Sequence, residues 1–201
     1  MIHLGAVNAM TNERAISLPN ASADALNIRP ADPADCRAVA RVHVASWRAA
    51  YRDIMPATFL AALSIDEREA MWRRLVVTQP GHLLVACNGD AVVGFVAFGE
   101  CHDEASPVGR AEIWAIYVDP PYWSAGAGRA LMHAALTRLN DAGVRDVVLW
   151  VLADNKRAIA LYERAGFVRD ADAVKRIDVA GVLLEEVRYV RGMGERGVVS
   201  A

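Results

Sequence analysis

The residues in this 201-residue chain best suited to chemistry begin with a helix start: Ser124, Ala125, Gly126, Ala127, Gly128, Arg129 and Ala130. They follow an apolar run ending at Val118 and the break Asp119-Pro120-Pro121. Glycines where a helix begins let backbone N–H groups come close to a ligand. Those N–H groups have no intrahelical partner, and the helix dipole adds partial positive charge, so the spacing suits a phosphate. The same glycines would also serve a helix that starts in a tight turn. Two nucleotide readings fail here. The dinucleotide fingerprint G-x-G-x-x-G needs Gly or Ala where Leu131 stands, and the P-loop ending G-K-[ST] is absent.

A second group runs from Asn155 to Phe167. Asn155 stands at a helix start, and Tyr162 lies seven residues on, two turns along the same face. Gly166-Phe167 then leads the chain into a strand. By themselves these residues read first as a capped helix with an aromatic core residue and a glycine stop.

The elements that position both groups follow from periodicity. Residues 26–29 read as a short strand. Asp32-Pro33 reads as a helix N-cap followed by the first helical residue, with helical spacing through Tyr51. Pro56 opens a short helical segment over 57–63, and Ser64-Ile65-Asp66-Glu67 is a capping box for a helix ending near Val77. The period then changes. Residues 83–87 and 91–98 form a hairpin across Asn88-Gly89, and 111–118 is a third strand of this group. A helix from Gly126 to about Ala142 is closed by Gly143, and 147–152 is an apolar strand. After the Asn155 helix, two strands near 167–179 and 182–190 pair across Ala180-Gly181. The predicted class is α/β (α+β): a mixed sheet with helices on both faces, only part of it parallel. Residues 1–25 read as an N-terminal extension, 26–192 as one domain, and 193–201 as a tail.

Composition narrows the function class. The chain is 54% apolar and 23% charged, with a formal net charge of −2. That is an ordinary globular composition, with no electrostatic reason to expect nucleic acid. No run approaches the roughly 18 apolar residues of a membrane span. Three cysteines (Cys36, Cys87, Cys101) show no metal-ligand spacing and predict free thiols in a reducing compartment. The start MIHLGAVNAM has neither the basic end nor the apolar core of a secretory signal, so the expectation is a cytoplasmic protein. Dimerisation is compatible with the sequence, but nothing in it specifies an interface.

Taken together, the two groups resemble the GNAT (GCN5-related N-acetyltransferase) superfamily. The resemblance rests on residues 112–118, Asp119-Pro120, the Gly126-x-Gly128 helix start and residues 155–167, and extends more weakly over 28–190. It implies a mostly antiparallel twisted sheet of about seven strands, splayed between the fourth and fifth. It implies acetyl-CoA as the acyl donor, held with its pantetheine arm along Ile116, Tyr117 and Val118. The pyrophosphate would sit on the backbone around Ser124, Ala125, Gly126, Ala127, Gly128, Arg129 and Ala130, with Asn155 and Tyr162 also on the cofactor side. One position departs from the family pattern: Trp123 stands where Gln or Arg is usual, which removes that polar side chain.

The implied reaction is direct attack of an amine on the thioester. An alkylamine is mostly protonated at neutral pH, so a general base is required. The resemblance makes Tyr162 the proton donor to the departing thiolate and Glu112 the base; Glu100, His102 and Asp103 are alternatives. The N–H of Val118 would serve as an oxyanion donor. His43, Trp47, Tyr51, Phe59 and Trp72 lie near the implied acceptor region, most at core spacing. No metal is implied. The contrasting reading is a GNAT-like module that binds acyl-CoA as a sensor without catalysis.

Overall fold

The change from helical to strand period along the chain is reproduced in a computed structural model, which describes residues 26–103 and 106–194. The expected extension over 1–25, and all of the expected tail beyond 194, lie outside the described residues. In chain order the elements are β1 (Leu26–Pro30), α1 (Cys36–Ala50), α2 (Ala57–Ala61), α3 (Ile65–Thr78), β2 (Leu83–Asn88), β3 (Ala91–Glu100) and β4 (Arg110–Val118). A short 3₁₀ turn, Pro120–Tyr122, follows. Then come α4 (Ala127–Asp141), β5 (Asp146–Leu152), α5 (Lys156–Arg164), β6 (Val168–Val179) and β7 (Val182–Gly192).

Two helix boundaries differ from the expectation. Asp32 does not cap α1. Its Oδ1 accepts the Ala34 N–H at 2.7 Å and its carbonyl accepts the Asp35 N–H at 3.1 Å, so Asp32-Pro33 makes a turn and the helix begins at Cys36. Asp35 is held across that turn by the two terminal guanidinium nitrogens of Arg29, at 2.6 and 2.8 Å. The helix opened by Pro56 stops at Ala61 rather than Leu63. There the Arg48 guanidinium bonds the carbonyls of Leu60, Ala61 and Leu63, at 3.0 to 3.1 Å. The Ser64 cap behaves as expected, with Oγ accepting the Glu67 N–H at 3.2 Å.

The seven strands form one sheet in the order β1-β2-β3-β4-β5-β7-β6. Only β4 and β5 run parallel; every other pair is antiparallel. Side-chain alternation divides the core. Val85, Phe95, Ala115 and Tyr117 pack under α1 and α3, while Leu84, Val96, Ile116 and Val118 pack under α4. Each fully buried Leu, Ile or Val on these faces contributes about 1.5–3 kcal/mol relative to exposure. Helix α4 rides close over β3 because Gly94 has no side chain. A Cβ there would lie 3.0 Å from the Tyr117 carbonyl and 3.1 Å from Leu131.

The sheet opens in its middle. The β4–β5 register runs from Arg110↔Asp146 to Ile113↔Leu149 and goes no further. Immediately beyond, β4 carries a bulge: Ala97 opposes Ala115 and Phe98 opposes Ile113, so Trp114 is an extra residue. A bulge increases local twist and bends its strand. The Trp114 indole packs over Gly99, leaving no room for a Cβ there, and its N–H donates to the Glu100 carbonyl at 3.0 Å. Residues 115–118 therefore leave β5, which goes on pairing with β7 as far as Leu152↔Glu186. The result is the slot expected between the fourth and fifth strands.

Candidate active site

Strand chemistry decides what lines this slot. The Asp119 N–H donates to the Val93 carbonyl at 2.8 Å, which fixes the phase of the β3–β4 ladder. Antiparallel pairs alternate between bonded and non-bonded positions. Gly94↔Val118 and Val96↔Ile116 are thus the non-bonded pairs, and the N–H and C=O groups of Val118 and Ile116 turn away from β3, toward the slot. The Val118 carbonyl agrees, since it accepts the Ser46 hydroxyl at 2.8 Å and the Trp123 indole N–H at 2.7 Å. Tyr117 behaves differently. Its backbone faces Phe95 in the ladder and its ring faces α1.

The slot leads to the start of α4. Gly126 is the N-cap with φ +89°, a left-handed conformation that glycine adopts without steric cost. The helical N–H groups of Ala127, Gly128 and Arg129 come before the first i→i−4 bond, which Ala130 makes to Gly126 at 3.0 Å. The Ala125 N–H is bonded to the Tyr122 carbonyl at 3.4 Å. These amides form the open helix end. The cradle faces a groove of about 990 Å³ between α4 and α5, floored by Ile116 and Val118. That is the upper range for a small-molecule site. Arg129, His133, Arg157, Arg164 and Arg191 line it, with no carboxylate among its lining residues.

Arg157 and Trp123 work as a pair. The guanidinium lies 4.8 Å from the Trp123 ring centre and donates to the Ser124 hydroxyl at 3.1 Å. Burial lowers the Arg157 pKa, so an anion beside it would recover stabilisation. Sequence reading passed over Arg157, Arg164 and Arg191, because a lone Arg on a helix or strand looks like a solvated charge. Only the fold gathers them.

Tyr162 is buried at 2% exposure, on the α4 side of the sheet. Burial pushes its phenol well above the ordinary value near 10. Asn155 is also buried. Its Oδ1 accepts the Ala158 N–H at 3.2 Å, capping α5, and its side chain bonds the Tyr51 hydroxyl. It thereby ties α5 to the end of α1. Glu112 is 1% exposed and points to the α1 face. The His102 N–H donates to its Oε2 at 3.0 Å, and the His102 ring lies 3.3 Å away. Asp103, next in the loop, bonds Lys175 and Arg188, each at 2.9 Å. His43 accepts the Trp72 indole N–H at its Nδ1, 3.2 Å away, and stacks on Tyr117. Burial lowers its pKa to about 3, so it is a neutral core residue.

One acid escaped the sequence reading. Glu186 on β7 is 2% exposed, and its Oε1 has no hydrogen-bond partner among the described residues. It faces the α1 side, in phase with Leu184 and opposite Leu152 at the end of β5. Burial, reinforced by the charge of Glu112 and opposed by Lys175, raises its pKa to about 7. The available signal was its position two residues after the inward Leu184. The preceding Glu185, which is exposed, disguises it as half of a solvated acidic pair.

A mixed sheet parted at its one parallel pair, with slot-facing amides leading to an open helix end, suits an extended ligand that ends in phosphates, and comparisons with known proteins give the class. The acetyltransferase (GNAT) family matches residues 44–167. The uncharacterized N-acetyltransferase YuaI of Bacillus subtilis (strain 168) is 31% identical over 162 residues, covering 81% of this chain and 90% of that protein. A mycothiol acetyltransferase of Actinosynnema mirum is 38% identical over 89 residues, covering 44% of this chain and 28% of that protein. The fold superimposes on yncA of Salmonella typhimurium, solved with acetyl-CoA, at TM-score 0.66 and 22% identity, over 88% of this chain and 99% of that one. The chain belongs to the acetyltransferase (GNAT) family and is an acyltransferase. Among the described residues, no helix is long and apolar enough to cross a membrane, and no cluster of three or more His, Cys, Asp or Glu is placed to hold a metal ion.

Proposed function

We propose that the protein transfers an acetyl group from acetyl-CoA to a primary amine by direct attack in the β4–β5 slot. The observation that carries this reading is continuity. Slot-facing backbone groups of Ile116 and Val118, the open amides of Ala127 to Arg129 and the basic groove belong to one surface. That surface suits an extended molecule with a thioester at one end and phosphates at the other. The helix amides receive the pyrophosphate, and Arg157, held by Trp123 and Ser124, meets a phosphate at the rim. Trp123 thus replaces the polar side chain usual at its position by fixing a neighbouring arginine. The pantetheine arm pairs with the slot-facing backbone of Ile116 as a further strand would, and its thioester end reaches Val118.

The chemistry divides into three tasks. The Val118 N–H points into the slot and supports the oxygen that gains charge during attack. Tyr162 stays protonated at every working pH because burial raises its pKa, so its O–H is available to the departing sulfur. The acceptor's proton leaves toward the α1 side of the slot, where Glu112 and Glu186 both lie. The likeness to acetyltransferases solved with acetyl-CoA or coenzyme A supports the choice of donor.

The test is release of free thiol from acetyl-CoA across amino acids, polyamines, aminoglycosides and peptide N-termini, alongside a direct titration with acetyl-CoA. Saturable binding and thiol release with one acceptor class are expected. Binding without release from any amine would favour a sensor; no binding would remove the reading.

A further inference from the structure

We propose that Glu186 receives the acceptor's ammonium group in the slot and takes its proton, while Glu112 sets the field around it and anchors the loop at His102. This rests on the acetyl-transfer reading above. Glu186 lies opposite Leu152, the last residue of β5, and opposite Lys175 on β6. That is three residues past Leu149, where β4 and β5 stop pairing, so its carboxylate sits beside the open part of the slot. Its Oε1 has no hydrogen-bond partner among the described residues. A buried charged oxygen without a donor is costly unless a cation or proton comes to it.

The groups facing it define what that partner is. Tyr51 after α1 and Tyr117 on β4 both feel the Glu186 carboxylate and the Tyr162 phenol, so the four side chains share one locus spanning the sheet. Lys175 does not close on Glu186. Its ammonium bonds Asp103 at 2.9 Å and lies 3.7 Å from the Trp150 ring centre. Arg188, two residues on, is spent on Asp103 and Asp170, at 2.9 and 2.7 Å. Glu112 is committed to His102. Among these acids, Glu186 keeps a free oxygen, and its raised pKa, near 7, suits exchange with an amine at neutral pH.

An N–H bond of the ammonium breaks and an O–H bond forms on Glu186. The freed nitrogen lone pair forms the C–N bond at the thioester carbon. The C–S electron pair leaves with sulfur, which takes the Tyr162 proton. The nitrogen's second proton restores the Tyr162 phenol, and the proton on Glu186 passes to solvent. Products are the amide, the neutral thiol and one released proton.

Two measurements test this. First, side-chain carboxyl carbons are followed by NMR as pH is varied in the protein alone. One signal, absent from E186Q, should titrate near neutrality; titration in the ordinary carboxylate range would overturn the inference. Second, kcat/KM is measured against pH with the best amine of the panel for wild type, E186Q, E186D and E112Q. E186Q should lose about 100-fold at pH 7. The deficit should shrink about tenfold per pH unit as free amine becomes populated. E186D should recover part of the activity, E112Q should keep the limb but move it to lower pH because a neighbouring negative charge is gone, and acetyl-CoA affinity should stay within about twofold in E186Q. A wild type that releases no thiol removes the acetyl-transfer reading and this inference with it. An active wild type whose E186Q variant keeps the same pH profile removes this inference alone.

Discussion

Tyr162, on α5, carries a hydroxyl buried against one face of the sheet, where function or a good partner must justify it. On the proposed mechanism its O–H serves only the departing sulfur. Tyr162→Phe keeps the ring and its packing on Phe167, at 6.2 Å between centroids. We expect kcat to fall by about 100-fold while the acetyl-CoA dissociation constant changes by less than about twofold, read by stopped thiol assay and calorimetry. An equal loss in affinity and turnover would make it a packing residue. Arg157→Ala makes the opposite prediction: weaker acetyl-CoA binding by about tenfold, with kcat at saturation little changed, because its cation meets a phosphate and not the reacting carbon. Arg157 was invisible in the sequence because its meaning depends on Trp123, thirty-four positions earlier, coming to lie beneath it.

At the scale of elements, the helix start and the bulge do the positioning. Gly126 holds φ +89°, where a Cβ costs roughly 1–2 kcal/mol. Gly126→Ala should therefore lower stability by about that amount and weaken acetyl-CoA binding at least about tenfold by re-aiming the three open amides. Gly128→Ala should be milder in stability, since its added Cβ would meet Leu161 only at an ordinary 3.5 Å. Denaturant melts and calorimetry on both variants separate the two effects. The helix start was legible in sequence because glycine spacing reports backbone geometry directly. The slot was legible only through family resemblance. Its physical cause, the extra residue at Trp114 lying across Gly99, depends on a pairing register that no local pattern announces. Asp32-Pro33 misled for a related reason: the same side-chain chemistry that caps a helix also closes a turn, and Arg29 decided between them.

For the whole molecule, two buried groups give opposite pH dependences. His43 is held neutral, its pKa lowered from 6.5 to about 3, so its contribution is complete above pH 6.5 and is lost as pH falls toward 3. Glu186 is raised from 4.5 to about 7, so its contribution is complete below pH 4.5 and is lost as pH rises toward 7. Between pH 4.5 and 6.5 the two slopes oppose each other. Glu186→Gln removes one of them. It should stabilise the protein by up to about 3 kcal/mol at pH 8 and change little at pH 4. Urea midpoints at the two pH values check this, and an equal effect at both would contradict it. A gain in stability with a loss of turnover is the expected signature of a strained functional acid. The order of elements and the two-faced layering were readable from period and turns. The convergence of β7 on the slot was not, because it depends on β7 inserting between β5 and β6.

The central claim is geometric, and a crystal structure with coenzyme A bound tests it most directly. We predict the pyrophosphate within hydrogen-bond distance of the Ala127, Gly128 and Arg129 amides, with Arg157 on a phosphate. The pantetheine arm should lie along Ile116 and Val118, and the sulfur should end beside Tyr162. Coenzyme A seated elsewhere, or its sulfur directed away from the β4–β5 slot, would contradict the account.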